Sequence, residues 1–182
     1  MRTLRVLKPS RSPSPQKMMD VFKRFPEGTF VQLIDNHLIM SPSLLDVHQV
    51  AIGEIFLSMA TYVKRHRLGK VRIAPYDVYL DEQNVFQPDI AFVSTERMHI
   101  IKQDGIYGAP DLIIEVLSPA TGRYDEHEKK RVYERCGVKE YWIVNPKDKA
   151  VRGYELADQS YRELSLSYGA IPSALLRTSF QF

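Results

Sequence analysis

One acidic residue interrupts the apolar run from Leu112 to Leu117, "LIIEVL". An ionised carboxylate in a dry interior is costly unless something pairs with it. Buried alone, Glu115 would raise its pKa and go neutral; the alternatives are a cationic partner or a metal. The following segment, "DEHEKKRVYERC" from Asp125 to Cys136, offers a cation. Lys129, Val132, Tyr133 and Cys136 follow the i, i+3, i+4, i+7 rule of one helical face. Lys129 therefore projects inward, while Lys130, the neighbouring alternative, and Arg131 lie off the stripe. Asp125, with Glu128 three residues on, reads as the N-cap of this helix. That puts Lys129 in the first turn, where the helix dipole disfavours cations. A lysine in two unfavourable places points to an anion nearby.

One carboxylate holds a divalent ion poorly, so a second is wanted. Asp111 shares a face with Glu115 but lies roughly 13 Å away along an extended strand. Asp89, in "FQPDIAFV", comes from a separate strand and can sit across from Glu115. Two carboxylates and water suit Mg²⁺ or Mn²⁺, hard cations that keep most of their own hydration. Together with a lysine they are the parts for hydrolysing a phosphodiester. Each residue also has a plainer reading. Glu115 could form a structural pair with an arginine, Asp89 could cap a turn after Pro88, and Lys129 could snorkel to water. Only the joint pattern singles them out.

These side chains need elements to hold them. The chain begins with a basic, Ser- and Pro-rich stretch, read as a mobile arm over residues 1–17. A single domain is expected over 18–182. "KMMDVFKRF" reads as a short helix ended by Pro26-Glu27-Gly28, and "TFVQLIDNHLIMSP" as a hairpin turning at Asp35-Asn36. A long helix follows, with apolar Ile52, Ile55, Met59 and Val63 at helical spacing and Gly69 as its stop. "KVRIAPYDVYL" and "VFQPDIAFVS" read as strands around a "DEQN" turn, and "TERMHIIK" as one or two helical turns. "PDLIIEVLS" is apolar on both faces, the mark of a covered central strand. "EYWIVNP" is a further strand, and "AVRGYEL" with "YRELSLSY" a final hairpin. This order predicts an α/β (α+β) domain with a mixed central sheet flanked by helices.

Composition is that of an ordinary globular chain: 182 residues, 44% hydrophobic and 26% charged. A net charge of +3 does not by itself imply a nucleic-acid partner. The single cysteine excludes an intramolecular disulfide and a cysteine-rich zinc cage. No apolar run approaches the roughly 20 residues of a membrane span, and the start lacks the apolar core of a signal peptide, so a cytoplasmic protein without membrane contact is expected.

The stretches "NVFQPDIAFVS", "GAPDLIIEVLSPAT" and "YDEHEKKRVYERCGVKEYWIVNP" closely resemble the Uma2 family of endonucleases, within the PD-(D/E)XK restriction-endonuclease-like superfamily. The resemblance covers about residues 18 to 155. It implies an αβββαβ core with a metal-dependent nuclease site on the central sheet. By that likeness Asp89 is the Asp of the Pro-Asp element, preceded by Gln87 as in many relatives, and Glu115 is the acid of the second element. The superfamily lysine two residues after the acid is Leu117 here; in this family it moves to the next helix, matching Lys129. The family hairpin Glu-Leu-Ile-(Asp/Asn)-Gly-Glu reads "QLIDNH" here, with Gln32 for the first acid and His37 for the second. His48 matches a recurring family histidine and is expected to support the site rather than ligate, as are Asp77, Gln87, Asp125 and Tyr133. The function implied is a Mg²⁺-dependent endonuclease acting on DNA, with Asp89 and Glu115 on the metal, Lys129 serving the water, and a homodimer as assembly. The rival, suggested by the altered hairpin and Leu117, is a degenerate nuclease fold that binds nucleic acid or a protein partner.

Overall fold

The computed structural model describes residues 17–26, 28–40, 45–118 and 122–182. The expected arm over 1–17 lies, apart from Lys17, outside them. Helix α1 (Met18–Phe22) leads into the hairpin β1 (Val31–Ile34) and β2 (His37–Met40). Asp35 and Asn36 both take positive φ, 44° and 63°, as a tight two-residue turn with the native strand twist requires. The long helix α2 (Asp46–His66) comes next, then β3 (Gly69–Ile73), β4 (Val78–Asp81), β5 (Asn84–Phe86) and β6 (Ile90–Ser94). A 3₁₀ turn over Thr95–Ile100 and the short β7 (Ile106–Tyr107) precede β8 (Leu112–Val116), the strand of Glu115. After it stand α3 (Gly122–Tyr124), a π-helical turn (Asp125–Lys129) and α4 (Lys130–Cys136). The chain closes with β9 (Glu140–Val144), β10 (Ala150–Ala157), β11 (Ser160–Glu163), β12 (Ser167–Tyr168), β13 (Ala170–Ser173) and β14 (Thr178–Gln181).

The main sheet runs β11-β10-β9-β8-β6-β3, with β12 beside β10. It is mixed: β8 pairs antiparallel with β6 and parallel with β9. A second sheet runs β2-β1-β5-β4-β7. Alternation along β8 divides the core. Leu112, Ile114 and Val116 pack with Ile55, Met59 and Val63 of α2. Ile113 faces the other way, with Val132, Tyr133 and Tyr141. The central strand is thus covered on both sides, which explains its nearly unbroken apolar run.

Several expectations need correction. The run "KVRIAPYDVYL" is not one strand. It leaves the main sheet at Ala74-Pro75 and enters the second sheet as β4, since proline has no N–H to give a ladder. "VFQPDIAFVS" returns the same way, with Pro88 between β5 and β6. Gly69 does not stop α2. Arg67 does so in the left-handed region at φ 57°, with the Leu68 amide donating to Val63 O at 3.0 Å. Gly69 instead opens β3, where a Cβ would sit 2.0 Å from Val93 O. Asp125 is not an N-cap, because the helix begins a turn earlier at Gly122; for the same reason Lys129 is not in the first turn. The β10–β11 hairpin is not the last, as β13 and β14 follow and pair. Buried Glu140 ties that pair to the main sheet, accepting from Trp142 Nε1 at 3.0 Å and Ser173 Oγ at 2.7 Å.

Candidate active site

The two crossings between sheets, at Pro75 and Pro88, frame the place where the expected residues meet. Asp89 stands just before β6, and Glu115 lies one strand over on β8. They are laced together through the backbone. The Val116 amide donates to Asp89 Oδ2 at 2.7 Å, and the Asp89 amide donates to Glu115 Oε2 at 3.4 Å. Glu115 is 2% exposed and Lys129 likewise 2%. Lys129 Nζ reaches Glu115 Oε1 at 2.9 Å and Asp125 Oδ1 at 2.9 Å. Tyr133 OH donates to the same Glu115 Oε1 at 2.8 Å. The lysine does not snorkel to solvent, and no guanidinium contacts either Asp89 or Glu115 among the described residues.

Helical geometry explains the lysine's company. Asp125 and Lys129 are four residues apart and face each other across the π-helical turn. A π turn is a wide register change of the kind that recurs at functional sites. The charges act on one another through low dielectric. Burial pushes the Glu115 carboxyl up, Lys129 opposes that, and the neighbouring Asp125 and Asp89 add to it. Burial works against the Lys129 ammonium, but Asp125 and Glu115 outweigh it and hold the amine firmly protonated. Burial and the adjacent Glu115 raise the Tyr133 hydroxyl, so it stays a donor.

His48, on the first turn of α2, is 3% exposed. Its Nε2 lies 2.7 Å from Val116 O and 3.5 Å from Asp89 Oδ2. Burial disfavours its imidazolium, but Asp89 and the Val116 carbonyl raise its pKa overall. It thus braces the strand end and the Asp89 carboxylate, as a supporting residue would. Gln87 donates through Nε2 to Asp77 Oδ1 at 2.8 Å and to Thr29 O at 3.0 Å. Asp77 is therefore one residue removed from the centre, linked to it through Gln87. Gln32 is buried, and its Oε1 accepts from the Gln87 amide at 3.0 Å. Lys130 is elsewhere, with its Nζ 3.9 Å from the ring centre of Tyr154. His37 is exposed and turns back on Asp35 O.

The Asp125–Lys129 pair escaped the sequence reading, which took Asp125 for a cap. The signal that could have found it was the i, i+4 acid–base spacing. Gln32 had no such signal beyond its place in the hairpin.

Among the described residues, no group of three or more His, Cys, Asp and Glu side chains is placed to hold a metal ion. A pair of carboxylates is present. Asp89 keeps 12% of its side chain in solvent, and its Oδ1 is not taken up by the contacts above. Glu115 Oε2 has the long Asp89 amide contact. A partly exposed Asp89 carboxylate beside the buried Glu115 carboxylate is a donor set that fits Mg²⁺ or Mn²⁺, which bind through one or two carboxylates and keep several waters. No helix among the described residues is long and apolar enough to cross a membrane.

The fold is shared with a solved structure, titled as a putative nuclease belonging to DUF820 from Anabaena variabilis ATCC 29413. The TM-score is 0.73 at 20% identity, over 90% of this chain and 92% of that one. No curated protein matches the sequence. The family described as "Putative restriction endonuclease" matches residues 19–181, nearly the whole chain and with it Asp89, Glu115 and Lys129, and the chain belongs to that family, Uma2.

Proposed function

We propose that the protein is a divalent-metal-dependent endonuclease that hydrolyses phosphodiester bonds of DNA. The observation that carries this reading is the buried Glu115, laced to Asp89 on one side and paired with an equally buried Lys129 on the other. A structural ion pair has no use for a second carboxylate that crowds the first and reaches solvent. Asp89 and Glu115 would hold Mg²⁺ or Mn²⁺. When bound, such an ion polarises a phosphoryl oxygen and lowers the pKa of a water. Lys129 keeps Glu115 oriented and, from behind that carboxylate, supplies positive charge to the centre as charge develops on the phosphate. Tyr133 fixes the rotamer of Glu115 by donating to Oε1, and His48 fixes that of Asp89.

Purified protein is expected to nick plasmid DNA with Mg²⁺ or Mn²⁺, and Glu115→Ala to abolish nicking. Cleavage that survives the substitution would sink the assignment. A symmetric pair is the assembly this reading expects; light scattering at twice the chain mass would support it.

A second reading draws on Gln32. Where relatives carry an acid, this chain has an amide that is committed to the Gln87 backbone. The chain would then bind nucleic acid or a protein partner without cutting. Calorimetric titration separates the two: no heat with Mn²⁺, together with retention on DNA, favours binding alone.

A further inference from the structure

A cavity of about 470 Å³ has Gln87 and Asp77 in its wall but not Asp89 or Glu115. That is the scale of small-molecule sites, roughly 300–1,000 Å³. Asp89 is two residues from Gln87, at most about 7 Å of chain. An occupant of the cavity would therefore neighbour any phosphate held at the carboxylates.

The cavity is built rather than left over. Tyr79 and Tyr107 stack at 4.5 Å with their planes 11° apart. Tyr107 is 42% exposed, and its hydroxyl donates to Asp104 Oδ2 at 2.7 Å. Gly105 lets this wall close up: a Cβ there would come within 2.7 Å of Asp77 O and 2.9 Å of the Tyr79 ring. Strand β7 is fastened to the crossing segment, with the Ile106 amide on Asp77 O at 2.8 Å and the Gly108 amide on Tyr79 O at 2.9 Å. Phe25 adds a further exposed ring.

The lining selects its ligand. Asp77 and Asp104 bring negative charge and Gln87 and Gln103 bring amides, against Lys23 as the cation among the described residues of the wall. Carboxylates repel a phosphate and accept from N–H donors. Aromatic faces take flat rings, by stacking that tolerates any base. A flat ring with N–H donors on its edge is a nucleobase. We propose that the cavity receives one unstacked base of the strand being cut, next to the scissile phosphate, and prefers an amino-bearing base, guanine foremost. Guanine offers two adjacent donors, N1–H and the 2-amino group, to one carboxylate; thymine offers a single N–H between two acceptors. This inference deepens the nuclease reading above and rests on it.

The test uses the full chain carrying Glu115→Gln, so that binding is read without cutting. Two labelled ten-nucleotide strands are compared by fluorescence anisotropy: all thymine, and thymine with one central guanine. The guanine strand should bind on the order of tenfold more tightly, the discrimination of one good two-donor contact. Free guanosine should displace it. Asp77→Asn should erase the preference, and independently Tyr107→Leu, at an exposed ring, should weaken the binding of both strands. Equal affinity for the two strands, a preference that survives Asp77→Asn, binding unchanged by Tyr107→Leu, or guanosine that binds without displacing the strand would each overturn the proposal. Cleavage by the unsubstituted protein is scored separately. If it cuts but shows no base preference, the pocket assignment falls alone. If the preference is present and nothing is cut with Mn²⁺, the nuclease reading falls and the base site stands.

Discussion

One buried carboxylate stands just before strand β8 and another near its end, and the two are treated in opposite ways. Asp111, just before the strand, is fully buried and surrounded by donors. It accepts from the Ser94 amide at 2.8 Å and pairs with Arg97 at 3.2 Å and Lys139 at 2.7 Å, both of which reach solvent. Burial pushes its carboxyl up, but Lys139, the Ser94 amide and Arg97 outweigh that and hold it below the usual range. Glu115, on the same face four residues on, has one buried amine and one hydroxyl, with two further acids close by. Its carboxyl is held up. A carboxylate that only stabilises a fold is given surplus positive charge. One left short of it retains appetite for a cation, which is how perturbed groups mark functional sites.

Substitutions sharpen the contrast. Lys129→Met should have the largest effect. It strands Glu115 and Asp125 together and should cost about 3–5 kcal/mol of stability in a urea titration, the penalty for removing one partner of a buried pair. A loss under 1 kcal/mol would mean the amine is not the site's main counter-charge. Asp111→Asn should cost about 2 kcal/mol, since hydrogen bonds to a charged group are lost, while cleavage per folded molecule stays unchanged. Glu115→Gln should cost less, about 1 kcal/mol, because the amide oxygen can still accept from Lys129 and Tyr133 and Lys129 keeps Asp125 as its counter-charge, yet it should end cleavage. If the two amide variants traded these phenotypes, the comparison would be wrong.

Acid titration gives a further check with a defined sign. The Asp111 pKa is lowered by folding. Its contribution should be fully present above the ordinary aspartate range and lost as pH falls through the lowered value. The stability gap between the natural chain and Asp111→Asn should therefore narrow in acid; a gap that widens would contradict the ion-pair account. The smallest effect belongs to Lys130→Ala. It removes a cation from the Tyr154 face, worth about 0.5–1 kcal/mol, and should leave cleavage intact. Lost cleavage would make Lys130 the working lysine.

Much of this was legible in the sequence because it follows from period. The alternation of "LIIEV" put Glu115 on one face, and helical spacing put Lys129 beneath it. The Asp35-Asn36 turn and the covered central strand were equally plain. What escaped depends on which sheet a strand joins. "KVRIAPYDVYL" has strand composition throughout, and only the tertiary structure sends its halves to different sheets at Pro75. Asp125 was misread for a related reason. An acid followed three residues on by Glu looks like a cap, and nothing local in "GRYDEH" announces that the helix is already under way at Gly122. The β13–β14 pair was missed because "SYGAIPSALLRTSFQF" carries Pro172 and no strict alternation.

Anomalous diffraction from a crystal soaked in Mn²⁺ tests the centre most directly. A single peak between Asp89 Oδ1 and Glu115 Oε2, with Lys129 still on Glu115 Oε1, is the predicted result. No peak there, with both carboxylates held only by their protein partners, would contradict it.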